Sequence, residues 1–244
     1  MISKLAIDIN CDMGENYGQF KAGGQDNALF PFINSCNIAC GFHGGDPLTI
    51  QQTIESALQH NLRIGAHPSY PDLAGFGRRN MTIPKAELKA IIKYQVAALK
   101  GMVESLGGSL SYVKPHGALY NQMAKNRAEA KTVIEAIQEI DSSLALMGLA
   151  GSSLVEISKK MAIEFIAEAF ADRRYEVDGK LRSRTLENAI LHSPQEVADQ
   201  VQSILENQIV YSLDGTTVPI HAQSICIHGD NPQALAILKA IRNL

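Results

Sequence analysis

Ser35-Cys36-Asn37-Ile38-Ala39-Cys40-Gly41-Phe42-His43-Gly44-Gly45-Asp46-Pro47-Leu48-Thr49-Ile50 carries the unit from which the rest of the chain is read. Residues 35–40 are small or apolar and bounded by glycine, which suits a short strand. A glycine-rich loop with one histidine follows. Asp46-Pro47 then opens a helix, because the carboxylate can cap free N–H groups and proline at the first helical position loses no hydrogen bond. Ile50, Ile54, Ala57 and Leu58 recur at helical spacing, and residues 63–67 start the next apolar run. Strands are expected at 4–9, 35–40, 63–67, 111–115, 144–148, 163–168 and 224–228. Between them, a long stripe near 84–106 (Leu88, Ile91, Ile92, Leu99, Met102, Val103, Leu106) stops at Gly107-Gly108. Ser193-Pro194-Gln195-Glu196 has capping-box spacing, and Asn231-Pro232 is expected to begin the last helix, with Asn231 as its cap. Strands alternating with helices imply a parallel sheet, since parallel neighbours need crossovers. A closed seven-stranded barrel and an open doubly wound sheet both fit this α/β pattern.

The 244 residues are 45% hydrophobic, enough for a sizeable core without staples, and no low-complexity tract or linker divides them. The formal charge is −3 with no basic cluster, which argues against nucleic acid or an anionic membrane as partner. No stretch approaches the roughly 20 apolar residues of a membrane span. Asp8 interrupts the apolar run a signal peptide would need, so a cytoplasmic protein is expected. Cys11, Cys36, Cys40 and Cys226 do not suggest a disulfide framework in so long a chain. On one strand Cys36 and Cys40 would lie ~13 Å apart, too far for one ion, and are expected to be core residues.

The polar residues after the expected strands carry the chemistry. Asn10-Cys11-Asp12-Met13-Gly14-Glu15 follows the first, His43 the second, His67 the third, and Lys114-Pro115-His116-Gly117 the fourth. Glu168-Ala169-Phe170-Ala171-Asp172-Arg173-Arg174 closes the sixth and His228-Gly229-Asp230 the seventh. Four of the seven histidines thus fall at strand ends, which converge on one face of a parallel α/β fold. A single loop histidine is most often structural; four together point to a site. Asp12, His43 and His116, with His67 as substitute, could hold a divalent metal that polarises a carbonyl or activates water. Lys114 could bind a carboxylate or phosphate, or snorkel as an ordinary lysine. Arg78-Arg79 and Arg173-Arg174 could be anion clamps or solvated charge. Glu168 near Arg173 could be an acid/base group or an ion-pair partner. Neither a Gly-x-x-x-x-Gly-Lys-Ser/Thr loop nor a Gly-x-Ser-x-Gly elbow occurs, so P-loop nucleotide binding and serine hydrolysis are unsupported.

Asn10–Glu15, Asn37–Pro47 and Gly65-Ala66-His67-Pro68-Ser69-Tyr70 resemble the signature blocks of the LamB/YcsF family. So do Gly75-Phe76-Gly77-Arg78-Arg79, Val113–Asn121, Glu168–Tyr175 and Cys226–Asp230, in family order along nearly the whole chain. Cys11 and Ser35-Cys36 depart slightly from the commonest family residues, at positions with no proposed chemistry. The resemblance implies an irregular seven-stranded parallel (β/α)7 barrel of the glycoside hydrolase/deacetylase type, with residues 1–244 as a single domain. It implies an ATP-coupled opening of the 5-oxoproline (pyroglutamate) lactam to L-glutamate, with ATP as co-substrate and partner subunits B and C. ATP could bind this chain or a partner. The rim residues Asp12, Glu15, His43, His67, Lys114, His116, Glu168, Asp172, Arg173 and His228 are then the expected site. Lys114 and Arg173 would face anionic groups, and the others would place water, protons and a divalent metal. A stand-alone metal-dependent amidase or deacetylase, or a mainly structural subunit, are the competing expectations.

Overall fold

Along the first strand, β1 (Asp8–Met13), polar and apolar side chains alternate, so one sequence faces two environments. Ile9, Cys11 and Met13 enter the large apolar cluster between sheet and helices, while Asp8, Asn10 and Asp12 hydrogen-bond to one another's neighbours inside a barrel. The computed structural model describes residues 7–21, 26–229 and 231–244. After β1 come α1 (Asp26–Leu29), β2 (Ser35–Ala39), α2 (Pro47–Gln59), β3 (Arg63–His67) and α3 (Lys85–Ser105). β4 (Leu110–Val113), α4 (Gly117–Met123), α5 (Arg127–Ile140), β5 (Ala145–Leu149), α6 (Leu154–Lys160) and β6 (Phe165–Phe170) follow. The chain ends with α7 (Pro194–Asn207), β7 (Ile209–Tyr211), β8 (Thr217–Pro219), β9 (Ser224–Ile227) and α8 (Ala234–Arg242).

Seven parallel strands close a barrel in the order β1-β2-β3-β4-β5-β6-β9, with β1 paired to both β2 and β9. Of the two architectures the pattern allowed, the closed one forms. Its irregularity has two sources. The β3–β4 register shifts between Ile64 and Gly65, and β4–β5 is joined only through Tyr112–Ala145 and Val113–Leu146. At Gly65 any side chain would run into the Tyr112 ring, which fills the lumen beside it. Tyr112, Ala145, Met147 and Ile166 form a small apolar plug there, separate from the main core.

Several boundaries differ from those expected. The first strand, anticipated at 4–9, runs from Asp8 to Met13, while residues 1–6 lie outside the described residues. The sixth is shifted to Phe165–Phe170, so Glu168 sits in the middle of the strand and not at its end. Asp46 caps α2 as expected, its Oδ1 accepting from the N–H groups of Leu48 (3.1 Å) and Thr49 (3.0 Å). The capping box at Ser193 does not form: its side chain makes no cap bond, and Glu196 turns to Arg174 at 3.7 Å. Asn231 accepts from Gln233 N–H at 2.9 Å in a turn, and α8 begins only at Ala234. Asp230 falls outside the described residues. The antiparallel β7–β8 hairpin was not anticipated. Among the described residues no helix is long and apolar enough to cross a membrane.

Candidate active site

A polar ladder climbs the lumen toward the C-terminal ends of the strands. Asp8 accepts from Ser35 Oγ (2.6 Å) and from Ser224 Oγ, which in turn accepts from Asn10 Nδ2 (2.8 Å). Asn37 Nδ2 donates to Asn10 Oδ1 (2.7 Å) and Asp12 Oδ1 (2.8 Å), and its Oδ1 accepts from the Tyr112 hydroxyl (2.5 Å). At the top sits Lys114, 2% exposed, immediately after β4. Its Nζ lies 2.8 Å from Asp12 Oδ1, 2.8 Å from Glu168 Oε1, 3.1 Å from Asn10 Oδ1 and 3.2 Å from Cys226 Sγ. Burial alone would strip its proton, but the carboxylate of Asp12 above all holds Lys114 well above the usual lysine range. Burial raises Asp12 too, and the charges of His67 and Lys114 outweigh it, keeping the carboxyl well below its ordinary range. Lys114 is therefore no snorkelling lysine. The partner of Glu168 is Lys114, not Arg173.

Beside this pair lies an imidazole cluster. His43 and His116 stack with centroids 3.7 Å apart and planes within 2°. His67 packs edge-on to both. His67 Nδ1 meets Lys114 O at 2.6 Å, and His116 Nε2 meets Phe76 O at 2.9 Å. A carbonyl only accepts, so both of these ring nitrogens carry protons. The remaining nitrogens, His67 Nε2 and His116 Nδ1, face each other at 3.0 Å. Glu15 Oε1 lies 3.2 Å from His43 Nε2 and 3.5 Å from His116 Nδ1, and Asp12 Oδ2 lies 3.4 Å from His67 Nε2. Burial pulls His43 and His116 well below the usual histidine range, so both rings are neutral near pH 7.

Loops fix this geometry. Gly77 has φ +62°, and a Cβ there would approach His116 Cδ2 to 2.9 Å and His43 Cβ to 3.0 Å, so the loop carrying Phe76 O can lie against the stack only with glycine. Gln95 of α3 locks the loop after β3, accepting from Ser69 N–H (2.9 Å) and donating to Ser69 O (2.8 Å). Gln200 of α7 does the same after β6, its Nε2 reaching the carbonyls of Phe170, Ala171 and Arg173 at 2.8–3.0 Å. Neither glutamine was singled out from sequence; their helical register, facing inward from an amphipathic stripe, was the available signal.

A cavity of about 500 Å³ opens over the site. Of the ten expected rim residues, Asp12, Glu15, His67, Lys114, His116, Arg173 and His228 line it, whereas His43, Glu168 and Asp172 stand behind them. Asp172 accepts from His228 Nδ1 at 2.8 Å, which offsets its burial and lowers its carboxyl. Arg173 is 6% exposed and bonds the carbonyls of Arg182 (2.5 Å) and Ala189 (3.4 Å). Arg79 pairs with Asp72 away from the cavity, while Arg78 lines it.

The metal trio expected from sequence regroups. Among the described residues one ligand atom each of Glu15, His43, His67 and His116 lies within 4.8 Å of the other three, and Asp12, Cys226 and His228 make a second such group. Glu15 takes the place given to Asp12, which Lys114 draws toward the lumen. The four cysteines are free and buried, consistent with core positions.

The sequence profile of the LamB/YcsF family matches residues 7–244. The chain is 48% identical over 236 residues to the A subunit of 5-oxoprolinase from Bacillus cereus (strain AH187), covering 96% of this chain and 93% of that one. It is 48% identical over 239 residues to the A subunit of 5-oxoprolinase from Acinetobacter baylyi, covering 98% and 94%. The crystal structure of the lactam utilization protein from Thermus thermophilus matches with a TM-score of 0.91 at 37% identity, covering 97% of this chain and 94% of that one.

Proposed function

Since this chain belongs to the LamB/YcsF family, we propose that it serves as the A subunit of an ATP-hydrolysing 5-oxoprolinase. With partner subunits B and C it would open 5-oxo-L-proline to L-glutamate while ATP becomes ADP and phosphate. The observation that carries this reading is the buried imidazole and carboxylate cluster opening into a cavity sized for a small ligand. The name of the relatives supplies the substrate.

A five-membered lactam is a poor electrophile. Transfer of the γ-phosphoryl group to its oxygen makes the ring carbon electrophilic. Water adds there, the C–N bond breaks with the nitrogen taking a proton, and a second water releases phosphate from the γ-carboxyl. Such a site needs a group to take the water's proton and donors for developing negative charge. His67 Nε2 and His116 Nδ1 face the cavity side of the cluster without a carbonyl to hold them and are the groups assigned to that proton. Glu15 and His43 orient His116 from opposite sides. Lys114 holds Asp12 and Glu168 in place while presenting positive charge, and Arg173 faces an anionic group of substrate or nucleotide. Asp172 orients His228.

Glu15, His43, His67 and His116 also fit a divalent cation. Their ligand atoms converge, and His67 and His116 anchor their second nitrogens on backbone carbonyls, as metal-bound imidazoles do. Bound there, such an ion would take the lone pairs of His67 and His116 and, in place of their role as base, would polarise the lactam carbonyl or acidify a water.

The decisive assay is glutamate formation from 5-oxoproline, with and without ATP, using this chain alone and mixed with B and C. Glutamate only from the complete, ATP-containing mixture is the expected result, and His116→Ala should abolish most of it. Dispensability of this chain in the mixture would sink the reading. ATP-independent hydrolysis would favour a stand-alone amidase, and indifference to every rim substitution would favour a structural subunit.

A further inference from the structure

Two cations are buried at this site, and they are not balanced alike. Lys114 has two carboxylates at 2.8 Å. Arg173, in the cavity wall, has none within 4.0 Å among the described residues. The adjacent Asp172 spends its oxygens on His228 Nδ1 (2.8 Å) and Asn231 Nδ2 (3.5 Å). Arg173 instead bonds only backbone carbonyls, through Nε and Nη2, and its neighbour Arg184 adds like charge. Burying a guanidinium beside a second one, without a counter-ion, is costly unless an anion arrives. Arg184 also lines the cavity, as does Lys125 from the opposite side of the chain's course, after α4. Neither has a carboxylate partner within 4.0 Å among the described residues. The same cavity also presents the carboxylates of Asp12 and Glu15. The cavity thus joins carboxylates and imidazoles to cations that no carboxylate within 4.0 Å neutralises.

We infer that Arg173, Arg184 and Lys125 form a subsite for a phosphoryl group in this cavity. Three cations lining one cavity suit a tetrahedral dianion with three free oxygens better than a single carboxylate, which one bidentate arginine would saturate. Ser183 and Thr185, flanking Arg184, hydrogen-bond each other at 2.8 Å, which leaves one hydroxyl proton of the pair as a neutral donor. The inference deepens the oxoprolinase reading and rests on it only for what the phosphoryl group is attached to: a phosphorylated ring or γ-carboxyl oxygen whose carbon reaches the imidazoles. A lactam alone, with one carboxylate and a neutral amide, leaves most of this charge unanswered.

The test is titration calorimetry on the full chain with inorganic phosphate, acetyl phosphate, ADP and 5-oxoproline as separate probes. Arg184→Met and Lys125→Met are the variants, because neither side chain makes a hydrogen bond among the described residues, whereas Arg173 also ties down its own loop. Each should weaken phosphate binding about tenfold or more, as loss of a charge-assisted pair does, while 5-oxoproline binding changes little. Binding should also weaken as salt rises. Acetyl phosphate binding more tightly than ADP would identify the source as an acyl phosphate, and the reverse a nucleotide; both uphold the subsite. No phosphate binding at millimolar concentration, or binding that both variants leave intact, overturns it, as does dependence of 5-oxoproline alone on Arg184. Because these are binding measurements, they separate from the glutamate assay: phosphate binding that needs Arg184 in a chain dispensable for glutamate formation would end the oxoprolinase reading and leave the subsite standing.

Discussion

His67 Nε2 and His116 Nδ1 confront each other at 3.0 Å, and each ring has already given its other N–H to a backbone carbonyl. Two neutral imidazoles so committed would point lone pair at lone pair. A proton shared between them, or a cation beside them, resolves the conflict. With Glu15 Oε1 at 3.5 Å from His116 Nδ1, a cation is expected. Chain stripped by chelator and dialysed against zinc or manganese should retain about one equivalent by elemental analysis. Glu15→Gln and His67→Asn should each lower the affinity roughly tenfold or more. Retention that both variants leave unchanged would place the ion elsewhere.

Lys114→Met would leave Asp12 and Glu168 buried without their counter-charge. Breaking a buried pair from one side costs about 3–5 kcal/mol, so the urea midpoint should fall sharply. Adding Glu168→Gln should recover part of that loss, since one stranded charge is removed. A Lys114→Met chain as stable as the parent would mean that the lumen is wetter than the contacts indicate.

Gly77→Ala tests the loop over the stacked histidines. The left-handed backbone costs an alanine about 1–2 kcal/mol, and its methyl group must displace the His116 or His43 ring. Turnover should therefore fall by more than the modest loss in Tm accounts for. Gly151→Ala, also at positive φ but with open space around its Cβ, is the control: similar backbone strain, unchanged turnover.

Asp46 supplies the pH dependence. The N–H of Gly18 first, then the Thr49 hydroxyl and N–H, lower its carboxyl to about 2, below the ~3.9 of an unfolded chain. The cap's contribution is complete above pH ~3.9 and is lost as the pH falls through about 2. Asp46→Ala should cost about 1 kcal/mol at neutral pH. Measured by Tm against pH, that difference should shrink on acidification. A difference that stays constant down to pH 2 would show that the charge of the cap is immaterial.

Much of this molecule is legible from the chain, and the exceptions share a cause. Strands facing a polar lumen hide from a search for apolar runs. β1 alternates Asp8, Asn10 and Asp12 with Ile9, Cys11 and Met13, so the apolar residues before it drew the expected strand too early. The expected sixth strand stopped at Glu168 for the same reason, because a charged residue reads as an end, whereas the strand continues to Phe170. The hairpin was announced by Asp214-Gly215 between β-branched and aromatic residues, a strong turn signal that the strand–helix rhythm obscured. The convergence of His43, His67 and His116 followed from their strand-end positions. Which carboxylate joins them did not: Asp12 ends the inward-facing row of β1 beside Lys114, whereas Glu15, two residues past the strand, reaches the imidazoles.

The hydrogen bond from Asn10 to Ser224 joins positions 214 residues apart, and β9 supplies both edges that close the barrel. While the chain is being synthesised, β1 therefore waits beside β2 with its other edge unpaired, and with Asp8 and Asn10 lacking their bonds to Ser224, until β9 emerges. So high a contact order predicts slow maturation and a nascent state prone to pair with foreign strands. Lys114, after β4, meets Cys226 of β9 across the lumen. The lysine at the centre of the site is thus fully housed only once β9 has been made.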